Sequence, residues 1–335
     1  MVIRSLRLAQ SAIYLPARVV TAAELDERLG LPTGWVEEKT GVTQRHYVEP
    51  GRDTNATMGA AAVRGVLEAA RLDFTDVDLL IVASASVQQP IPCTAALIQR
   101  ELGEAAAASG VPCMDLNATC LSFLLALELA AAWLSARGRG RVLIVSSEIA
   151  SQGVDWDQPG AAGLFGDGAA AFLLEAAPGE ESGLLASRFE TFSEGASYCE
   201  VPAGAQARPP WTYTPARHKE FLFAMDGPAV HRLAMKRLPG LVERCLADAG
   251  VTLAEVEAVV PHQAGMGPLR LVERRLGIAP ERMVVTVAEH GNLIAASVPV
   301  ALHLARERGQ VRPGDRVLLL GTAAGYSQGA MLWQN

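Results

Sequence analysis

The 335-residue chain is predicted to fold as an α/β protein built from two similar halves. Short Val/Ile/Leu runs alternate with longer Ala/Leu-rich amphipathic stretches, the pattern of strands buried on both faces between covering helices. The order of these pieces then repeats. AAVRGVLEAARLDFTDVDLLIVASAS, ending near residue 86, has a counterpart in LPGLVERCLADAGVTLAEVEAVVPHQAG, ending near residue 265. Each reads as a helix, a short acidic linker before Val77 or Val256, and a buried strand. A long Ala/Leu-rich helix then leads into RGRGRVLIVSSE in one half and RGQVRPGDRVLLLGTAAG in the other, and each half closes on a small-residue strand, GDGAAAFLL or SQGAMLW. The halves divide at 1–178 and 179–335.

In chain order, strands are expected over 78–83, 141–146, 169–174, 257–260 and 316–320, and helices over 57–71, 120–137, 230–249, 268–276 and 296–308. The Gly/Pro-rich stretch 177–215, with GEESG and PAGAQARPPW, reads as an irregular connection. A hydrophobic content of 50% with 19% charged residues excludes disorder as the main theme. A net charge of -7 argues against nucleic acid as the main partner. Five cysteines, at 93, 113, 120, 199 and 245, form no CxxC pair and read as reduced thiols. The opening MVIRSLRLAQSAIYLPARVV lacks a signal-peptide core, and no stretch reaches the roughly 18 uncharged apolar residues of a membrane span. A cytoplasmic protein without a membrane partner is expected.

Chemistry concentrates at three residues. Cys120, in DLNATCLSFLLAL, stands where a short strand passes into a long apolar helix, and a helix N-terminus favours thiolate and holds an oxyanion. Cys113, in the preceding strand, reads as core. His262 follows a strand in EAVVPHQAG, at the end where open α/β sheets place ligands. Asn292, in HGNLIAASVP, begins the second-half counterpart of the helix that Cys120 begins, and a helix cap is an equal use of Asn there. A Cys, His and Asn in this order fit a thiol hydrolase, in which His is the base, or a condensing enzyme, in which Cys takes an acyl group. The CG[SA]C[WY] context of the papain type is absent.

Further motifs make a resemblance specific. YLP near the start, TGWVEEKTGVTQRHY, TMG, DLNATC, LFGDGAAA, VPHQA, HGNLIAASVP and the turn TAAGYSQGA resemble β-ketoacyl-acyl-carrier-protein synthase III, of the thiolase superfamily, over nearly the whole chain. The resemblance implies a five-layered αβαβα thiolase fold and a homodimer. It implies decarboxylative Claisen condensation of an acyl primer with malonyl-acyl carrier protein, in fatty-acid or specialised acyl metabolism. Cys120 would carry the acyl group, His262 and Asn292 would bind the malonyl thioester carbonyl, and the backbone N–H groups of Cys120 and Ala324 would hold the oxyanion. No cofactor or metal is implied beyond the acyl-CoA or acyl-carrier and malonyl-carrier substrates. Acyl transfer to a non-malonyl acceptor and a non-catalytic carrier-binding subunit are the competing readings.

The chain departs from the family pattern around the substrate. Trp35 matches the aromatic that stacks on the adenine of coenzyme A, but its arginine partner falls at Gln158 and Pro159. Gly265 and Pro228 replace two pantetheine-side asparagines, and Ile91 replaces an aromatic gate to the acyl pocket. Ala323 and Ala324 replace glycines, which predicts a reshaped oxyanion turn, because alanine tolerates positive φ poorly. Arg232, Arg274 and Arg275 match positions that dock the acidic carrier, and Arg270 shares a helix face with Arg274. Pairing with Glu273 on a solvated face is the alternative use of these arginines.

Overall fold

The computed structural model describes residues 4–49 and 51–335. Nine strands join in one sheet, in the order Ala258–Pro261, Arg316–Ala323, Ser327–Gln334, Gly183–Thr191, Arg4–Tyr14, Gly168–Ala176, Arg141–Glu148, Leu79–Ala83 and Cys113–Leu116. The same pairing pattern runs outward in both directions from its centre. Arg4–Tyr14 lies antiparallel to Gly168–Ala176, which lies antiparallel to Arg141–Glu148, which lies parallel to Leu79–Ala83. Gly183–Thr191 lies antiparallel to Ser327–Gln334, which lies antiparallel to Arg316–Ala323, which lies parallel to Ala258–Pro261. The two series meet where Arg4 faces Leu184 and Ser5 faces Gly183.

Side-chain alternation along these strands builds the layers. Leu79, Ile81, Val142, Ile144 and Phe172 from one series, and Val317, Leu319, Met331 and Trp333 from the other, point into one central core. The helices Ser122–Arg137 and Ser297–Glu307 fill that core. The intervening residues face outward. Leu80, Val82, Leu143 and Val145 pack under the helices Asn55–Ala70 and Thr94–Glu101, while Leu318, Leu320, Ala330 and Leu332 pack under Gly227–Ala249 and Met266–Leu276. The result is the expected five-layered α/β body. Each fully buried Val, Leu or Ile contributes roughly 1.5–3 kcal/mol, so a one-residue slip in any central strand is strongly disfavoured.

All ten expected elements form, with shifted ends. The helix expected from residue 120 begins at Ser122, and the one expected from 296 begins at Ser297 after a 3-10 turn, Ile294–Ala296. The stretch 177–215 is not wholly irregular, since Gly183–Thr191 is a full sheet strand. Its Ala, Ser, Arg and Glu are poor strand formers, and tertiary pairing overrides them. The expectation on membrane spans also needs amending. Thr119–Arg137 is long and apolar enough to cross a membrane, but it is the central-layer helix, with Phe123, Leu124, Leu127, Ala130 and Leu134 in the core.

Candidate active site

The strand Cys113–Leu116 ends in a tight turn before the central helix. Leu121 N–H donates to the Ala118 carbonyl and Ser122 N–H to that of Thr119, both at 3.1 Å. The Ser122 hydroxyl donates to the Thr119 carbonyl at 2.7 Å. Thr119 is left-handed at φ 51, a conformation that costs a β-branched residue roughly 1–3 kcal/mol. Cys120 thus stands on a strained turn two residues ahead of the helix. The backbone N–H groups of Ala324 and of Cys120 itself approach its sulfur. Burial nevertheless pushes the thiol up to about 12, and the nearby Glu148 carboxylate and Cys199 add to the rise. Desolvation thus works against the thiolate that the helix start is expected to favour, while Cys120 itself is half-buried rather than sealed.

Ala323 and Ala324 do not carry the predicted strain. The strand Arg316–Ala323 runs through the first alanine, and the left-handed conformations fall on Gly325 (φ 77) and Tyr326 (φ 37).

His262 follows the strand Ala258–Pro261, and its N–H donates to the Leu320 carbonyl at 2.8 Å. Its side chain is 6% exposed, with Nδ1 buried and unpartnered. Burial lowers it to about 4, so the imidazole is neutral near pH 7. Gly321 brings it towards the turn that carries Cys120. A Cβ at Gly321 would lie 2.8 Å from His262 Cβ and 3.5 Å from Leu121 Cδ2, so His262 and the residue after Cys120 meet over this glycine.

Asn292 does not open a helix as expected. It lies in a crossing between the HGN and FGDG segments, where Asn292 N–H donates to the Leu164 carbonyl at 2.9 Å and Gly166 N–H to the Asn292 carbonyl at 3.1 Å. The crossing requires glycine on both sides. A Cβ at Gly166 would lie 2.2 Å from the His290 carbonyl oxygen, and one at Gly291 would lie 2.6 Å from that of Leu164. Asp167 anchors the FGDG segment, accepting from the N–H groups of Val48 and Ser151, both at 2.9 Å. The Asn292 Oδ1 accepts from Ile294 N–H at 2.8 Å and from the Ser297 hydroxyl at 3.3 Å. With its oxygen engaged, the amide is left its two N–H donors. A neutral imidazole, an amide donor, a thiol and two backbone N–H groups form a set suited to acyl transfer and enolate stabilisation.

The comparisons with known proteins bear on this arrangement. The family described as 3-Oxoacyl-[acyl-carrier-protein (ACP)] synthase III matches residues 114–193, and its C-terminal counterpart matches residues 246–335. A beta-ketoacyl-[acyl-carrier-protein] synthase III from Neisseria meningitidis serogroup C is 32% identical over 332 residues, 98% of each chain. The chain belongs to the β-ketoacyl-[acyl-carrier-protein] synthase III family. Among solved structures, the 3-oxoacyl-[acyl-carrier-protein] synthase III of Aquifex aeolicus superposes with a TM-score of 0.88 at 28% identity, covering 99% of this chain and 100% of that one. The Pseudomonas aeruginosa enzyme gives 0.87 at 29% identity, covering 98% of each.

The remaining expected positions of this synthase III-family chain lie on separate elements. Trp35 opens the helix Trp35–Thr40, held by buried Asp26, which accepts from Gly34 N–H at 2.7 Å and Val36 N–H at 2.9 Å. In place of the expected arginine, Gln158 donates to Asp155 at 3.0 Å and Pro159 starts a short helix, Pro159–Ala162. A cation still stands nearby. Trp156 packs in the same cluster as Trp35, and the Arg28 guanidinium lies 3.5 Å above its ring. Gly265 (φ 138) caps the helix Met266–Leu276, and Pro228 lies in the first turn of Gly227–Ala249. Ile91 is 84% exposed in the loop after Leu79–Ala83. Arg232, Arg270, Arg274 and Arg275 are exposed on two adjoining helices. None of them, nor Glu273, forms an ion pair among the described residues. Cys113 is half-buried against the outer core, beside Cys93. Among the described residues, no group of three or more His, Cys, Asp or Glu is gathered as a metal site.

Sequence reasoning missed Glu148, Cys199 and Arg28. Glu148 left one signal, a carboxylate closing the otherwise apolar and small run RVLIVSSE.

Proposed function

We propose that this chain catalyses decarboxylative condensation of a Cys120-bound acyl primer with malonyl-acyl carrier protein, in fatty-acid or specialised acyl metabolism. The observation that carries the reading is the meeting of His262 and Leu121, the residue after Cys120, over Gly321, with the Asn292 amide fixed by its own turn. The thiol attacks the primer thioester, its sulfur becoming the new thioester and its proton leaving on the departing thiol. The N–H groups of Cys120 and Ala324 hold the tetrahedral oxyanion. The malonyl thioester then loses CO₂, and its electron pair becomes an enolate whose oxygen takes hydrogen bonds from neutral His262 and from Asn292. The enolate carbon attacks the acyl carbonyl, the carbon–sulfur bond to Cys120 breaks, and the released thiolate takes a proton from solvent. Donors set where charge develops stabilise the transition state more than the ground state.

Carrier docking by Arg232, Arg274 and Arg275 is supported by their exposure and their lack of ion pairs among the described residues. Trp35 and Ile91 belong to the substrate entrance in this reading. A homodimer is supported by the exposed Met114 (44%) on the terminal strand Cys113–Leu116 of the sheet, an open edge that a second copy can cover. Two related halves, 1–178 and 179–335, are supported by the repeated pairing pattern of the sheet, and a cytoplasmic location by five free cysteines.

Incubation with panels of acyl-coenzyme A and acyl-carrier thioesters, followed by intact-mass analysis and then malonyl-carrier protein, tests the mechanism. The expected result is one acyl adduct, absent from Cys120→Ala, and CO₂ release on malonyl addition. Equal labelling of Cys120→Ala would refute the covalent step. Acylation without CO₂ release would point to a non-malonyl acceptor.

A further inference from the structure

Glu148 ends the strand Arg141–Glu148, is 0% exposed, and has no cationic partner among the described residues. Burying a carboxylate without a counter-charge is costly. Here the cost is offset by hydrogen bonds, and two separate segments close on the carboxylate. Ala85 N–H donates at 2.6 Å, Ser86 N–H at 3.1 Å and the Ser86 hydroxyl at 2.5 Å, all from the loop after Leu79–Ala83. The turn Ile294–Ala296, just after Asn292, packs against the strand Arg141–Glu148 and brings the Ala295 N–H towards the carboxylate.

Both segments lead to the site. On one side, the Ala85 carbonyl accepts from the Asn117 side chain at 3.0 Å, and the Asn117 Oδ1 accepts from Thr119 N–H at 2.9 Å, one residue before Cys120. On the other side, Ala295 follows Ile294, whose N–H holds the Asn292 Oδ1 at 2.8 Å. Ile294 is left-handed at φ 52, which a β-branched residue adopts only under constraint. Packing of this turn against the strand Arg141–Glu148 supplies that constraint. The Ser86 hydroxyl also accepts from Asn55 at 3.2 Å, which roots the assembly in the helix Asn55–Ala70.

We propose that Glu148 is a positioning residue for the condensation, a buried carboxylate that ties the Cys120 turn to the Asn292 turn and imposes a negative field at Cys120. The inference rests on the reading of Cys120 as nucleophile and of Asn292 as enolate donor. Its electrostatic part needs only the thiol. The titratable side chains that raise the thiol are Glu148 and Cys199, and Cys199 is left untouched by the test.

Glu148→Gln keeps the size but loses the charge and one acceptor. Glu148→Asp keeps the charge but shortens the reach. With Glu148→Gln, Cys120 should react with iodoacetamide at lower pH than in wild type, about threefold faster at a fixed mildly alkaline pH. Acylation by thioesters should stay within about threefold of wild type, while CO₂ release from malonyl-carrier protein falls at least about tenfold as the Asn292 donor drifts. Glu148→Asp should restore the alkylation profile but not CO₂ release. Alkylation and CO₂ release at wild-type levels in a folded Glu148→Gln would overturn the proposal. So would a parallel loss of acylation and CO₂ release, together with a lowered melting temperature and an unchanged alkylation profile, which marks a structural role alone. If wild type takes no acyl group, the reading of Cys120 fails, and the alkylation comparison still decides whether Glu148 sets the field.

Discussion

At the scale of single residues, His262 and Asn292 differ from Cys120 in the step they serve. The thiol is needed to take the primer, whereas the imidazole and amide donors are needed when malonate loses CO₂ and negative charge gathers on oxygen. Asn292→Ala is therefore expected to acquire an acyl group at a near-normal rate and to release CO₂ about 10²–10³-fold more slowly, the usual cost of deleting one oxyanion donor. Intact-mass acylation and CO₂ release measured on one sample separate the two steps. Equal loss in both would mean that Asn292 shapes the Cys120 pocket rather than the enolate. His262→Ala is expected to show the same split, because the neutral imidazole still carries one N–H to donate to the enolate oxygen.

At the scale of elements, the crossing of FGDG and HGN decides where Asn292 stands. Gly166→Ala would drive a methyl group to 2.2 Å from the His290 carbonyl oxygen, a backbone atom that cannot rotate away. A destabilisation of about 3 kcal/mol or more and loss of condensation are expected. Gly160→Ala is the matched control, since nothing lies within 4 Å of a Cβ there and the residue sits in the helix Pro159–Ala162. Thermal unfolding of the pair checks the point, and equal melting temperatures would show that the crossing can shift. The motif letters of this crossing were legible in the sequence, and so were the apolar strands and helices that frame it. The helix starts were not, because the turns at Cys120 and Asn292 depend on left-handed Thr119 and Ile294, two residue types that propensity assigns to strands. The raised thiol was equally hidden, since desolvation arises from packing between sequence-distant segments. Arg28 escaped for the same reason, having come to Trp156 across 128 residues of chain from Arg28 to Trp156.

At the scale of the whole molecule, buried titratable groups link the site to stability. His262 and His290 both fall from an ordinary 6.5 to about 4, chiefly through burial. Between those values the unfolded chain binds more protons than the fold, so each makes stability rise with pH and be lost as pH falls towards 4. Glu148 acts in the opposite sense. Burial raises it from 4.5 to about 7, so over that window the fold binds more protons and stability falls as pH rises. From pH 4.5 to 6.5 the two histidines therefore compete with one carboxylate. Asp167, raised by burial, and His303, lowered by burial, oppose each other in the same manner. For His262, His290 and Glu148 the balance is about one proton, or roughly 1.4 kcal/mol of stability gained per pH unit. Glu148→Gln deletes the opposing group, so its stability should climb about twice as steeply over the same range, whatever its absolute value. Urea unfolding at several pH values between 4.5 and 6.5 measures both slopes. A variant slope no steeper than wild type would mean that Glu148 stays ionised throughout, its hydrogen bonds from Ala85 and Ser86 outweighing its burial.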